Sequence, residues 1–566
     1  MPRLGSKQVK LLYAVFAVAM IAMAIIGGIR TFSSVPWADM WDGGLGFILK
    51  LSRGDESAWW AQHNEHRIVL ARMLFWLDFR FFSGMSYFLI ATNYLFVFMS
   101  TALFWRILHD LSGSARPDGA EFVIGCLLTA WLFNWMQEQN LTWAFQSQFF
   151  LAQLLPLAGL YVLSRAVDDE RRNLAFFAAV VIGIASVGSM ANGVLLLPLM
   201  TLFALAMGMG RLRVSILAIL AVATLYLYFD HYVKPGAHGS LAQAIRDDPI
   251  GLTKYVLLYL GSPFYYMLHG TFGRAVAMAA SALLIIGSAH IGFRMLRSPR
   301  REPLRLALLV FILYIGGTAL GTASGRLIFG VEQALSGRYT TPALMVWGCF
   351  LLLHLDTVLS FVRKRGTWYM TPVIVLMLAQ QAHAWRNPGE FAFERNIAAL
   401  ALSLGVDDGA AIRTVFPNPT VARRIGDEAI ADNLSVFGQY PFKDLRRQLG
   451  AQMRSDVPEQ CRGSLDTIDA IPGDSRFVKL EGWILDGQAP HSGQLVRLFD
   501  AGGRIIGFAI QGSLRPDVAK AVGKEGARSG FTGYVKADQV GSTIAAAMDS
   551  DSCRLRTDTP KPGSGS

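Results

Sequence analysis

The chain has 566 residues, 53% hydrophobic and 16% charged, with a positive mean hydropathy; that balance excludes an ordinary soluble enzyme and places it among membrane proteins. A net charge of +11 would point to nucleic acid in a soluble protein. Here the basic residues sit in short loops between apolar runs, which excludes that partner.

In chain order, the first apolar run, 10–30, is too long for a signal-peptide core and has no small-x-small cleavage site before WADMWDG, so a retained helix is expected. Ten more spans follow at roughly 86–108, 121–135, 148–165, 173–189, 191–209, 213–229, 273–295, 304–323, 342–361 and 367–384. The stretch 251–268 reads as a re-entrant or interfacial piece, because counting it as a span would put RMLRSPRREPLR outside. The basic loops hold Arg106 and Arg116; Arg165, Arg171 and Arg172; Arg211 and Arg213; Arg294, Arg297, Arg300, Arg301 and Arg305; and Arg363, Lys364 and Arg365. By the positive-inside rule these loops and the N-terminus are cytoplasmic, and everything after about 385 lies outside, in the periplasm of a bacterial inner membrane. The expected fold is a polytopic α-helical membrane protein of about 11 transmembrane helices (1–384) with a C-terminal periplasmic α+β region.

That region divides in two. Residues 385–460 are polar and helical in pattern; after 475 the period becomes that of strands (RFVKLEGWILD, GQLVRLFDA, GRIIGFAIQG, GFTGYVKA, STIAAAMD). Cys126 and Cys349 fall in apolar spans, whereas Cys461 and Cys553 bracket the strands, as an oxidising compartment permits. A Cys461–Cys553 disulfide closing a β-sandwich of about six to eight strands over 461–556 is expected, with a flexible tail at 557–566.

The outside loops carry the candidate chemistry. Asp39 and Asp42 lie between and beside Trp37 and Trp41 just after the first helix, where aromatics would exclude water and raise a carboxyl toward the range of a general base. The alternative is a solvated helix end. Residues 56–82 form an aromatic-rich amphipathic pattern that predicts one or two juxtamembrane helices. Within it QHNEHR (62–67) places His63, His66 and Arg67 on one helical face, suited to a phosphate, with Asn64 and Glu65 beside them as sugar contacts. A divalent metal on His63, Glu65, His66 and Asp42 is conceivable, but the spacing is not HExxH and no CxxC occurs, so no cofactor is assigned. The loop 136–150 concentrates Glu138, Asn140, Trp143 and Gln146, the amides and ring that sugar hydroxyls need. SGRLIFGVEQALSGRYTTP (324–342) brings Arg326, Arg338 and Tyr339 to the outside, where an arginine suits a lipid phosphate or an ion pair with Glu332. His231, His238 and His269 read as surface residues.

Acids opening the first outside loop, an NEHR segment, about 11 helices, an outside Arg-Tyr near a late helix and a C-terminal periplasmic domain together resemble the GT-C superfamily of membrane glycosyltransferases, which includes aminoarabinose, arabinosyl and protein mannosyl transferases. The resemblance covers roughly 1–385 and implies sugar transfer from a polyprenyl-phosphate donor to a glycan, lipid or protein acceptor on the outer side, usually with inversion. By position it implies that Asp39 or Asp42 is the base, and that Arg67 or Arg338 holds the departing lipid phosphate. Several relatives have adjacent acids where this chain spaces them, so the choice of base stays open. The pattern GWILDG…RLFDAGGRIIG…RPDVAKAVG…GF resembles β-domains of bacterial glycan-handling proteins, which implies carbohydrate binding there, or else a structural lid. The rivals are a transporter or flippase, and a polymerase or ligase, of lipid-linked glycans.

Overall fold

The structure is a computed structural model that describes residues 6–113, 118–167, 173–234, 236, 238–298, 302–386, 389–452, 461–485, 493–541, 543–548 and 553–558. Arg116, Arg171, Arg172, Arg300 and Arg301 of the basic loops, and the tail from 559, lie outside these residues. The chain forms two compact units: Met1–Arg30, Trp59–Met73 and Leu89–Arg386 in the first, and Thr31–Ala58, Leu74–Phe88 and Asn387–Ser566 in the second.

The first unit is helical. Among the described residues seven helices are long and apolar enough to cross a bilayer: Lys7–Thr31, Tyr87–Ser112, Gly119–Thr142, Ala144–Ser164, Arg211–Phe229, Gly270–Met295 and Pro303–Phe329. These mark a membrane protein. The count differs from the eleven expected for local reasons. Asn173–Val187 has 15 residues and Leu196–Met207 has 12, against the roughly 20 a span requires; the latter ends at Gly208, whose φ of 63° is left-handed. The expected straight span 342–361 is instead Gly337–Leu353 and Leu355–Arg365, bent by 74°, and the pair makes an eighth span if it crosses as one. The last expected span holds an α-helix of only 11 residues, Thr371–Gln381. The ambiguous 251–268 is one continuous helix, Pro249–Leu268. Close helix approaches use glycines: a Cβ at Gly125 would lie 2.3 Å from the Trp105 ring, and one at Gly27 would lie 2.5 Å from that of Trp135.

The second unit holds the C-terminal region. Its helices, chiefly Phe391–Leu404 and Pro419–Ala431, share a core with Trp41, Leu45, Leu49 and part of the sheet. The strands are β1 (Arg462–Ile471), β2 (Asp474–Leu485), β3 (Leu495–Phe499), β4 (Ile505–Ser513), β5 (Gly530–Lys536), β6 (Thr543–Met548) and β7 (Arg554–Asp558). They make one antiparallel sheet in the order β1-β2-β5-β4-β3-β6-β7, so the expected two-sheet sandwich is corrected to a single curled half-barrel. The reason is hydrophobic on both faces: β4 is buried along nearly its whole length. Ile505, Phe508 and Ile510 join the core shared with the helices, while Ile506 and Ala509 join a second core with Leu480, Phe531 and Leu555. A sheet with two apolar faces needs cover on both, and curling covers one with its own strands. The expected Cys461–Cys553 disulfide is formed and ties the edges together, with Cys461 N–H donating to Arg554 O at 3.4 Å. Tyr534 of β5 donates to Asp408 at 2.9 Å, and that carboxylate also caps Gly409–Arg413.

Candidate functional site

The segment 62–67 is not the expected helix. His63 and His66 pair backbone to backbone, N–H to O at 2.8 and 2.9 Å, around a tight turn at Asn64 and Glu65, and the helix starts only at Val69. Asn64 sits at φ 49°, a left-handed conformation that asparagine tolerates better than most residues. Residues 63 and 66 still share a side, because opposed residues of a hairpin do.

Glu65, at the turn, is the hub of the first unit's polar cluster. Its Oε1 accepts from Arg326 at 2.9 Å, from the end of Pro303–Arg326. His238 Nδ1 lies 3.6 Å from its Oε2 and His66 Nε2 3.8 Å from Oε1. Tyr228 and Tyr232 hydroxyls donate to its carbonyl at 3.2 and 3.4 Å. Burial alone would raise the Glu65 carboxyl, but His66 and Arg326 outweigh it and hold it at about 2, so it is ionised. Burial pushes His66 down to about 4 against the pull of Glu65. Its Nδ1 accepts from Ala191 N–H at 3.2 Å, which leaves the proton on Nε2, facing Glu65. Burial also lowers His238, despite Glu65.

Arg338 completes the cluster: its charge acts on both His66 and His238. It is half-buried over the Tyr339 ring, 5.3 Å away, and its Nε is buried without a hydrogen-bond partner. Among the described residues it forms no ion pair; Glu332, its expected partner, pairs with Arg274 at 3.1 Å. Arg326 is neutralised by Glu65, so Arg338 is the cation of this cluster whose charge stays available.

Several expected contacts turn out to be framework. Arg67, expected to hold phosphate, is buried, donating from Nε to Tyr228 O at 2.9 Å, from Nη1 to Trp60 O at 2.7 Å and from Nη2 to Asp230 O at 2.6 Å. A guanidinium spent on three carbonyls locks loops together. Asn140 is fully buried and donates to Arg338 O and Thr341 Oγ1 at 3.0 and 2.6 Å, so it places Arg338 rather than meeting a sugar. Trp143 is buried, its carbonyl taken by Asn93, and Tyr339 is buried against Tyr259 at 5.0 Å. Gln146 is fully buried with neither amide atom partnered. His63 is buried with its ring 5.1 Å from that of Phe145, and Glu138 is exposed.

Asp39, Trp41 and Asp42 belong to the second unit. Ala38–Met40 is a 3₁₀ turn running into a π turn, Trp41–Leu45. Asp39 is half-buried and Asp42 exposed. Trp41 is fully buried against Phe437, and its Nε1 donates to Pro36 O at 2.8 Å, so its ring offers no face to a sugar. Ala38 sits at φ 48°, strained for a residue with a Cβ, and donates to Val415 O at 2.7 Å.

Sequence reasoning missed His238 and the pairing of Glu65 with Arg326. Both depend on residues more than 170 positions from Glu65 meeting it, and no local spacing signals that. No family model, curated protein or solved structure matches the chain.

Proposed function

We propose that the protein is a membrane glycosyltransferase that moves a sugar from a polyprenyl-phosphate donor to a glycan, lipid or protein acceptor on the periplasmic side of a bacterial inner membrane. The observation that carries this reading is Arg338, a half-buried cation with no ion pair among the described residues, fixed through its carbonyl by Asn140. In an inverting transfer the acceptor oxygen bonds to the anomeric carbon and loses its proton to a base. The bond from that carbon to the phosphate oxygen breaks, and the phosphate leaves with the electron pair and one more negative charge. A guanidinium aimed at that charge gains most in the transition state, which is what catalysis requires. Neutral His66 supplies no competing positive charge and ionised Glu65 keeps Arg326 occupied, so the added charge falls to Arg338.

The base is Asp39 or Asp42. Support for a functional turn there comes from the left-handed Ala38 and the π turn beside it, since strain and π turns concentrate at working sites. The disulfide supports an oxidising compartment for the C-terminal region. A second reading, a transporter or flippase for the same lipid-linked glycans, is favoured by Gln146, Gln148 and Gln153, buried beside or in Ser147–Ser164 with unpartnered amide atoms that would line a hydrated path.

Binding of undecaprenyl phosphate to the full chain in nanodiscs tests the carrying observation. Arg338→Ala should weaken binding by about tenfold or more, and Arg338→Lys should recover part of it. Equal binding by wild type and Arg338→Ala would remove the phosphate site from this cluster.

A further inference from the structure

A cleft of about 540 Å³ opens in the first unit between the loop carrying Trp60, Gln62 and Asn64 and the loop carrying Asp230 and His231, with Arg67 at its floor. Its volume lies in the range of small-ligand sites, roughly 300–1,000 Å³. We infer that this cleft is a carbohydrate subsite that binds a neutral pyranoside unit of the acceptor glycan, with Trp60 as the stacking platform and Asp230 as the hydroxyl acceptor. That the bound glycan is the acceptor rests on the transferase reading above; that the cleft binds a pyranoside does not.

The walls are set before any ligand arrives. Gln62 stitches them together: its Nε2 donates to Asn64 O and Val233 O, each at 2.6 Å, and its Oε1 accepts from Val233 N–H at 3.0 Å. Arg67 ties Trp60 O to Asp230 O from below. A preformed cleft spares the ordering cost that weakens loop-borne sites.

The groups left facing the opening are those a sugar uses. Trp60 is 41% exposed, a large ring kept partly wet beside a carboxylate. Its inner side is occupied by the Arg67 guanidinium, 5.3 Å from the ring centre, which fixes the ring's tilt. A ring face takes the C–H side of a pyranose, while hydroxyls bond to polar neighbours. The Asp230 side chain is 51% exposed and accepts only, so it can take two neighbouring hydroxyls. His231, at φ 51° and 93% exposed, stands beside it as a further donor or acceptor. Charge selects among glycans: the exposed Asp230 carboxylate repels an anionic sugar, whereas the Arg67 guanidinium is buried with Nε, Nη1 and Nη2 each donating to a backbone carbonyl, so an anionic sugar is disfavoured.

The test is ligand-observed NMR by saturation transfer, using full-length protein in nanodiscs without donor. The probes are methyl pyranosides of glucose, galactose, mannose and N-acetylglucosamine, their disaccharides, and methyl glucuronide as the anionic control. Wild type should saturate the ring protons of at least one neutral probe. Trp60→Ala and Asp230→Asn should each weaken binding by about fivefold or more. Trp60→Phe should lose less than Trp60→Ala, and Arg338→Ala should bind as wild type does. Asp230→Asn keeps the backbone carbonyl that Arg67 uses, so it stands if Trp60→Ala fails to fold. No saturation of any neutral probe, or equal binding by wild type and both loss variants, would overturn the proposal and leave Trp60 an interfacial anchor. Binding without transfer would count against the transferase reading and not against this subsite.

Discussion

His66 and Glu65 make stability depend on pH in a definite direction. In the folded chain His66 titrates at about 4, below the ordinary 6.5, so between those values the unfolded chain binds the proton that the folded one refuses. Stability is therefore full above pH 6.5 and falls as pH drops toward 4. Glu65, held at about 2 against the ordinary 4.5, adds a second loss between 4.5 and 2. The melting temperature of the full chain should show both, and His66→Gln should flatten most of the first, leaving a residual slope from His238. An unchanged slope in His66→Gln would move the effect elsewhere. At this scale the sequence told where polar groups cluster but not what occupies them. Arg67 and Arg338 look alike as arginines in polar loops, yet three carbonyls found only in the fold engage one and leave the other.

Elements were legible where one periodicity dominates. The apolar run at 10–30 became Ser6–Thr31, and the alternating runs after 475 became strands. The segment 62–67 was not, because i, i+3 neighbours share a side in a helix and also across a two-residue turn, so the spacing cannot separate them. Two elements of the sheet carry their own tests. A Cβ on Gly533 of β5 would lie 2.3 Å from Phe508 O and 2.4 Å from the Ala509 Cβ on β4. The first contact is backbone and cannot step aside, so Gly533→Ala should cost about 3 kcal/mol in thermal unfolding, at the upper end for overpacking. A neutral result would mean that β4 and β5 are not in this register. The disulfide closes a separation of 92 residues, and the Cys461→Ser/Cys553→Ser pair should lose roughly 2–5 kcal/mol. Amide exchange should rise first in β1 and β7, the strands it joins; uniform exchange would contradict an edge-to-edge clamp.

Across the whole molecule, composition separates an apolar helical part from a disulfide-closed part, and the structure contains both, but its two compact units do not divide at 385: Thr31–Ala58 and Leu74–Phe88 join the C-terminal residues. The architecture of the second part was harder to read. Strands that are apolar on both faces fit a sandwich or a curled sheet backed by helices equally well, and only the helices Phe391–Leu404 and Pro419–Ala431 decide between them. Seven or eight long apolar helices stand among the described residues where eleven spans were expected, since hydropathy does not see the break at His354 or the stop at Gly208. The central claim remains chemical: a sugar–phosphate bond is broken and a glycosidic bond made. The measurement that tests it most directly is sugar transfer in proteoliposomes from a panel of labelled polyprenyl-phosphate sugars, with wild type beside Asp39→Asn, Asp42→Asn and Arg338→Ala. The account predicts carrier-dependent transfer by wild type, lost in Arg338→Ala and in one aspartate variant that still binds donor. Translocation of the labelled lipid with its sugar–phosphate bond intact, and no transfer from any carrier, would contradict it.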